Sequence, residues 1–597
     1  FIPNDTFIYI LTQIRSLING RRKIMKKNIL NIKNILLAST VILVFAFGSC
    51  TKGFEEMNKN PMSPTGTDIG PLFNGVVSSL CWTWDEQFYL NNEIFYPESE
   101  LGALTSESWG NYSIGVDAVW NNYYLALANI HDIDKRLDEM CSATGDNEID
   151  DKVRAQLTVI EAYKTFKVTD MFGDIPYSEA GYIWYDTEGN RKPKYDSQES
   201  IYKTLLNELV WARDVLCNGS AITALGNQYY SLGAYDVMYH DDYNKWAKIA
   251  NSLILRHGMR MYHKDEAFAG PILQEAFNEP VIDDYMYNGN GAFALWPLNV
   301  GQFGDQGWSF REHKNLRMGE TVFAQMSKET DSIDNRIFDP RVYVFFDTNN
   351  KTAGYPEGAW RAFPQIRDEN TPTEGGTPYS SARDKNYGFK GPACLYSPFN
   401  FYLIRDHVFV PQIMISPAEV CFIKAEMIVK GIVPGGLGMA VEELIRNGIK
   451  NSYYMWLQLP IYGTDATYKY IYPELQAILD GGDIWSLSDS YASQVMNEMM
   501  YLNYDFMYDE TAYLEFIYQQ RWLDLFRQPN EAWNLARRTK DSGATTPTTI
   551  NHQKLVTYRL PYPQSEVTYN YDNYNEQVKK MSHGDTRETK VWWMKEN

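Results

Sequence analysis

The chain is 597 residues long, and 44% hydrophobic with 22% charged residues is the composition of a folded globular protein. Asp and Glu outnumber Lys and Arg by 75 to 55, so the formal net charge is −20. An acidic body of this kind repels nucleic acid and anionic lipid headgroups, and we expect neither as a partner. The aromatic share of 15% suggests that some rings lie on the surface.

The first 70 residues read as a leader and a tether. We interpret 1–24 as an over-extended gene start, because Met25 opens a basic segment that is followed by an uncharged apolar run too short to span a bilayer. Residues 25–49 therefore resemble an export signal. Small residues precede Cys50, as in a lipoprotein cleavage site, so we predict that Cys50 carries lipid and that 50–70 is a tether. Ordinary secretory cleavage is the alternative.

Helical periodicity dominates residues 71–263. In the helix that starts at Val153, apolar residues recur every three or four positions and leave Lys164 and Lys167 outside the stripe, and Gly173 ends it. Ser197 is placed to cap a further helix. The predicted helices are Leu72–Leu90, Ala118–Met140, the helix from Val153, Ser197–Cys217 and Asp241–His263.

From residue 264 to 410 the pattern changes, because Gly, Pro, Asn and Asp interrupt every periodic run. We predict one helix here, Gly319–Thr330, and a short strand at Asp339–Phe346. Long loops in a folded protein are usually functional, and the aromatic residues between the breakers argue against disorder. We interpret 264–410 as the loop-built half that faces a ligand.

Helical order resumes in 411–540. Ser416 is placed to cap a helix that Gly431 closes, and Glu419 could return the capping hydrogen bond. Further helices are predicted at Ala440–Tyr454 and within Ile517–Thr539, and 541–597 would form a C-terminal closure.

Several segments together resemble the SusD/RagB family of nutrient-binding outer-membrane lipoproteins. They are DMFGDIPYSEA, WAKIANSLILR, DPRVYVFF, ISPAEVCFIKAEMIVKG, IYQQRWLDLFRQPNEAWNLARRT and LPYPQSEVTYN, which spread over nearly the whole exported chain. The resemblance implies a mainly α fold in which tetratricopeptide-like helical pairs form a scaffold. It also implies that 71–597 is a single SusD-like domain, with scaffold parts at 71–263 and 411–540.

Motifs of common enzymes do not occur in the sequence: there is no HExxH, no GxSxG and no Walker loop. A GxGxxA match at Gly289–Ala294 lacks the strand and helix that would give it meaning. The histidines show no metal-ligand spacing. Carboxylate pairs such as Glu419 and Glu426 lie in helices that account for them. We therefore predict no enzymatic activity, no cofactor and no metal site, and leave a structural calcium ion open.

Sugar rings present C–H faces to Trp and Tyr, and their hydroxyls pair with polar side chains, so loops that combine both residue types are candidate binding sites. Three loops meet this condition, although packing is the default role of any single ring. The candidate ligand-binding residues are Trp109, Tyr112, Trp296, Asn299, Trp308, Tyr355, Trp360 and Arg361.

The resemblance implies a lipid-anchored protein on the exterior of the outer membrane. It would capture an oligosaccharide and deliver it to a SusC-like, TonB-dependent transporter, with the lipid as its sole link to the membrane. Two alternatives stay open: a peptide-binding relative of the same family, and a helical-repeat adaptor that contacts proteins and no small ligand. A surface hydrolase is a third, and would release reducing ends or amines.

Overall fold

The computed structural model describes most of the chain after residue 68. The described residues are 69–106, 112–144, 151–182, 191–217, 231–283, 294–295, 313, 315–327, 338–349, 359–372, 379–384, 388–390, 394–400, 412–462, 477, 480–481, 483–497, 509–540 and 555–595. The predictions for 1–24, 25–49 and Cys50 lie outside these residues.

Helices make up most of the first half. They are α1 Ile69–Ser78, a π-helix Glu86–Phe95 continued by one α-helical turn at Tyr96–Glu98, α2 Tyr112–Thr144, α3 Asp151–Phe172, α4 Gln198–Cys217, α5 Tyr243–Met261 and α6 Glu266–Asn278.

The second half also contains helices. Small antiparallel sheets pair strands within this half or join it to the first half. The helices are α7 Glu320–Met326, a four-residue turn Val342–Phe345, α8 Pro417–Val429, α9 Met439–Tyr462, α10 Ile484–Met496, α11 Glu510–Asp524, α12 Pro529–Thr539, α13 Gln564–Tyr569 and α14 Tyr571–Lys580. The strand pairs are β1 Ala103–Leu104 with β3 Leu316–Arg317, β2 Ala294–Leu295 with β6 Gln412–Ile413, and β4 Tyr379–Asp384 with β5 Gly388–Lys390.

Consecutive helices pack as pairs, which confirms the predicted mainly α scaffold. α4 lies along both α3 and α5, α8 lies along α9, and α9 lies along α10. Nearly all buried apolar side chains of these helices belong to one continuous hydrophobic core.

Helix α3 has no fully exposed residue, and the prediction that Lys164 lies outside its buried stripe is wrong. It contacts α1, α2, α4 and α5. Lys164 is 7% exposed and its Nζ donates to the backbone oxygen of Ser79 at 2.7 Å. Burial, with Lys167 adding to it, lowers the pKa of Lys164 to about 7. Lysine stems pack like apolar residues, and the sequence pattern could not tell which neighbours would cover this one.

The predicted helix Leu72–Leu90 is two elements rather than one. Helix α1 ends at Ser78, and the chain turns before it re-enters helical structure as the π-helix. π-Helices are rare and are frequently found at functional sites. This one buries three amides that bond to each other: Gln87 Nε2 donates to Asn92 Oδ1 at 2.9 Å, and Asn91 Nδ2 donates to Gln87 Oε1 at 3.1 Å.

The predicted cap of α8 is confirmed, and the predicted partner of Glu419 is wrong. Ser416 Oγ accepts a hydrogen bond from the Glu419 backbone N–H at 3.0 Å. The Glu419 carboxylate does not return to Ser416. It accepts from Arg256 Nε on α5 at 3.0 Å and from Arg521 Nη2 on α11 at 2.7 Å. Helix α8 is therefore joined to two other helices by buried ion pairs.

A second group of buried ion pairs joins α3, α5 and α12. The Arg260 guanidinium pairs with both Asp170 and Glu531. Asp170 also accepts from Trp593 Nε1 at 2.7 Å, which ties the C-terminal segment to α3. These side chains come from positions up to 423 residues apart, so the network is a product of the tertiary fold.

Two predictions for 264–410 are wrong. Helix α6 lies in the segment read as irregular: Asp265 caps it by accepting from Phe268 N at 3.0 Å, and Pro271 lies inside the helix. The predicted strand Asp339–Phe346 is instead a helical turn, because the Asp339 side chain accepts from the Arg341 N–H at 3.0 Å and bends the chain. The helix predicted at Gly319–Thr330 is present as α7.

Candidate ligand-binding site

Short strand pairs bring the borders of the predicted ligand loops together. In the β1–β3 pair, Ala103 lies opposite Arg317, and just beyond it Thr105 N donates to Asn315 O at 2.8 Å. The segment 107–111 follows β1 and the segment 296–312 precedes β3 along the chain. Arg367 Nη1 donates to Thr105 O at 2.7 Å, which adds the segment around residue 361 to the same region.

A row of half-buried rings lies along the π-helix, next to this junction. The Trp84 and Phe88 rings are stacked at 5.9 Å with an interplanar angle of 15°, and Phe88 meets Tyr89 edge to face at 4.9 Å. The His313 ring meets Phe88 edge to face at 5.1 Å. We call Trp84, Phe88, Tyr89 and His313 the aromatic strip.

Gly115 places the start of α2 against the same strip. A Cβ atom at this position would lie 2.7 Å from Leu90 Cγ and 3.1 Å from Tyr89 Cβ, which is too close for any other residue without a shift. Tyr112 begins α2, so the prediction of a loop over Glu107–Gly115 is wrong for Tyr112–Gly115, which are helical. His313 follows directly after 296–312. Gly115 and His313, each a few residues from predicted ligand-binding residues along the chain, therefore both lie against the π-helix.

Two buried polar atoms beside the strip have no hydrogen-bond partner among the described residues. Glu93 Oε1 lies 3.5 Å from His313 Nε2, while Glu93 Oε2 and His313 Nδ1 are each buried and unsatisfied. His313 is 3% exposed. Leaving such atoms unpaired costs free energy, on the order of 1–3 kcal/mol each. A ligand hydroxyl could donate to the carboxylate oxygen and pair with the ring nitrogen.

A buried ion pair holds the other end of the π-helix. Lys167 on α3 pairs with Glu86, and its Nζ lies 5.9 Å from the centroid of the Trp82 ring. Both side chains are largely buried, so this contact fixes the π-helix on the scaffold. The aromatic strip is thereby presented by an element that is fixed on the scaffold.

The structure places three of the predicted site residues. Tyr112 is half-buried and packs against the hydrophobic core. Trp360 is 4% exposed and meets Tyr343 edge to face at 5.7 Å. The Arg361 guanidinium lies 4.7 Å from the centroid of the Tyr396 ring. All three have packing roles here, and their contact with ligand stays a prediction. Trp109, Trp296, Asn299, Trp308 and Tyr355 lie outside the described residues.

Sequence reasoning missed the strip itself. Trp84 and Phe88 were assigned to the interior of a continuous helix, and His313 and Glu93 were not singled out. The signal that could have found them is the run WTWDEQFY, in which Trp84 and Phe88 are four residues apart and so share a helix face. Four rings within eight residues are more than one side of a helix can bury.

In the described part of the chain, no three or more His, Cys, Asp or Glu side chains lie together as a metal site would need. The search for membrane spans found no sufficiently long and apolar helix among the described residues.

Comparison with known proteins gives a family and a fold. A family model for SusD-like proteins, described as starch-binding and associating with the outer membrane, matches residues 72–563. No curated protein sequence matches the chain.

Solved structures of similar fold include a chitin-binding protein, with 20% identity and a TM-score of 0.61 over 89% of this chain and 100% of that one. A SusD-like protein from Bacteroides thetaiotaomicron has 16% identity and a TM-score of 0.59, over 89% and 99% of the two chains. A SusD homologue from Parabacteroides distasonis has 17% identity and a TM-score of 0.59, over 88% and 98%. At these identities the likeness shows a shared fold.

Proposed function

This chain belongs to the SusD-like family, whose members are described as starch-binding and associating with the outer membrane, and from that premise we propose that it captures oligosaccharides at the cell surface. We further propose that Cys50 carries the lipid anchor, that the domain faces the exterior, and that it passes its ligand to a SusC-like, TonB-dependent transporter. The apolar run before Cys50 supports the anchor.

The observation that carries the proposal is the aromatic strip with unsatisfied polar atoms beside it. Stacked rings such as Trp84 and Phe88 offer an apolar face to the C–H side of a sugar, and Glu93 and His313 offer an acceptor and a ring nitrogen to its hydroxyls. A binding role needs no catalytic group, and we propose none.

Calorimetric titration of the domain against starch, chitin and other oligosaccharides, and against a peptide digest, tests this function. We expect saturable binding to at least one glycan and an affinity about tenfold lower in Trp84→Ala, because a buried ring contributes roughly 1.5–3 kcal/mol. Glu93→Gln should weaken binding as well. Trp211→Ala is the matched control, since Trp211 is 40% exposed on the scaffold helix α4.

Each outcome separates the alternatives. Glycan binding that Trp84→Ala and Glu93→Gln leave unchanged would place the site elsewhere. Binding to peptides alone would move the chain to the peptide-binding branch. No binding by a folded domain would favour the adaptor role, and release of reducing ends during titration would contradict the absence of catalysis.

A further inference from the structure

A small cavity of about 50 Å³ lies on the scaffold, where α5, α8 and α12 end beside the C-terminal segment. Its lining includes four side chains that carry or can carry positive charge, namely His263, Lys430, Arg538 and Lys595. We call it the basic cavity. A space of this size holds a molecule larger than one water.

Negative charge at the basic cavity is scarce. Glu426 receives Arg538 Nη1 and Nη2 at 2.7 and 2.8 Å, so this carboxylate is already engaged in a bidentate pair. Lys430 Nζ is 4.0 Å from Glu426 Oε1, beyond hydrogen-bond distance, and Arg521 Nη1 is 3.9 Å from Glu426 Oε2. Glu426 thus faces three cations, of which Arg521 is also paired with Glu419, and Glu266 is a second negative charge that acts on Lys430.

The lysine side chain at the C-terminal end of α8 is not needed to cap that helix. Backbone N–H groups already cap α8, because Lys430 N donates to Glu426 O at 3.0 Å and Gly431 N donates to Ile428 O at 2.9 Å. His263 Nε2 is buried with no hydrogen-bond partner within the described part of the chain. Lys430 is exposed at the rim of the cavity, and the 4.0 Å ion pair with Glu426 leaves its Nζ able to donate to a ligand.

Burial and the neighbouring positive charges both lower the pKa of His263 and of Lys430. Burial, and then the charges of Arg538, Lys595, Lys264 and Lys430, lower the pKa of His263 to about 4. Burial lowers the pKa of Lys430 too, with Arg538 and Lys595 adding to the effect against the attraction of Glu426. A bound anion would oppose these shifts.

We propose that the basic cavity binds one inorganic oxyanion of the size of phosphate or sulfate. Lys430 Nζ and His263 Nε2 donate to it, and Arg538 and Lys595 supply further positive charge. Charge-assisted hydrogen bonds of this kind are about twice as strong as neutral ones. The anion links the C-terminal segment to the ends of three scaffold helices, and it stabilises the folded protein because the unfolded chain has no such site.

Thermal unfolding with increasing phosphate, at ionic strength held constant with chloride, tests the site. We expect the unfolding midpoint to rise with phosphate, and the apparent affinity to fall at least about tenfold in Lys430→Met, which loses a charged donor. Lys579→Met, at an exposed lysine outside the cavity lining, should keep the full response. Sulfate and acetate titrations distinguish a tetrahedral anion from a carboxylate.

A direct readout is the His263 pKa by NMR, which should rise towards its ordinary 6.5 when phosphate binds. If Lys430 only stabilises the C-terminal end of α8, the result differs. Lys430→Met would then lower the unfolding midpoint in chloride and leave the response to phosphate unchanged. That result, or equal stabilisation by chloride and phosphate, would overturn the proposal. If Lys430→Met does not fold, His263→Gln takes its place. A phosphate response in His263→Gln equal to that of the wild type would likewise overturn the proposal.

Discussion

Replacing Glu419 with glutamine should lower the free energy of unfolding by about 3–5 kcal/mol, because it leaves two buried guanidinium groups without their counter-charge. Glu419 is 0% exposed and bonds to Arg256 and Arg521, which are themselves at most 3% exposed. Glutamine keeps the volume of the side chain and one acceptor oxygen. Its amide NH₂, however, would face a guanidinium, so that donor meets donor.

The control is Asp489→Asn, which breaks a longer 3.4 Å pair with Lys450 as well as the exposed pair of Asp489 with Arg446. These two side chains are 36% and 43% exposed, and exposed pairs contribute about 0–1 kcal/mol. Urea titration of each variant, with the slope compared as well as the midpoint, gives both changes. If Glu419→Gln costs no more than Asp489→Asn, the buried pairs do not hold α5, α8 and α11 together as argued.

The same reasoning predicts a pH dependence. Burial alone would raise the pKa of Glu419, but Arg256 and Arg521 bring it below the ordinary value of 4.5. A carboxyl with a lowered folded-state pKa stabilises above the unfolded value and loses that contribution as pH falls through the folded value. The difference between wild type and Glu419→Gln should therefore shrink progressively below about pH 4.5.

Three further predictions concern buried groups and close contacts. Burial and a nearby carboxylate raise the pKa of Glu161 to about 8. The protonated carboxyl therefore stabilises the folded state fully below pH 4.5, and this stabilisation is lost as the pH rises through 8. We expect the unfolding midpoint of the wild type to fall between pH 4.5 and 8, and Glu161→Gln to flatten that fall. Gly115→Ala should cost about 1–3 kcal/mol from overpacking and weaken ligand binding, whereas Gly75→Ala, with nothing within 4 Å, should stabilise by about 0.5–1 kcal/mol in urea titrations. The pKa of Lys164 is about 7 in the folded protein and 10.5 in the unfolded chain. Between these pH values the unfolded chain holds a proton that the folded protein has lost, so wild-type stability should rise with pH. Lys164→Met should remove that rise in unfolding midpoints measured across the same range.

Local signals in the sequence predicted what local physics controls. The Ser416 cap formed because a hydroxyl three residues before an N–H needs no distant partner. Gly431 ends α8 with φ of 68°, a backbone conformation that glycine adopts without penalty. The prediction failed for α6, since Pro271 was read as a breaker and the Asp265 cap was overlooked.

The sequence predicted ligand-binding residues on Gly-rich loops, and that prediction stays untested, whereas the aromatic strip lies along the π-helix. Aromatic residues on Gly-rich loops indicated ligand binding, but which rings share a surface depends on how Gly115 and His313 dock on the π-helix. Trp360 shows the limit of the argument, because a ring in a loop can pack inward as readily as outward.

The sequence by itself determined the helical scaffold, the family and the capping of individual helices, because periodicity and turn chemistry act over a few residues. The tertiary structure alone decided the partners of Glu419, the burial of Lys164 and the position of the aromatic strip. Charges and rings separated by hundreds of residues meet there, and the free energy of such a contact depends on burial and distance, which no local pattern carries.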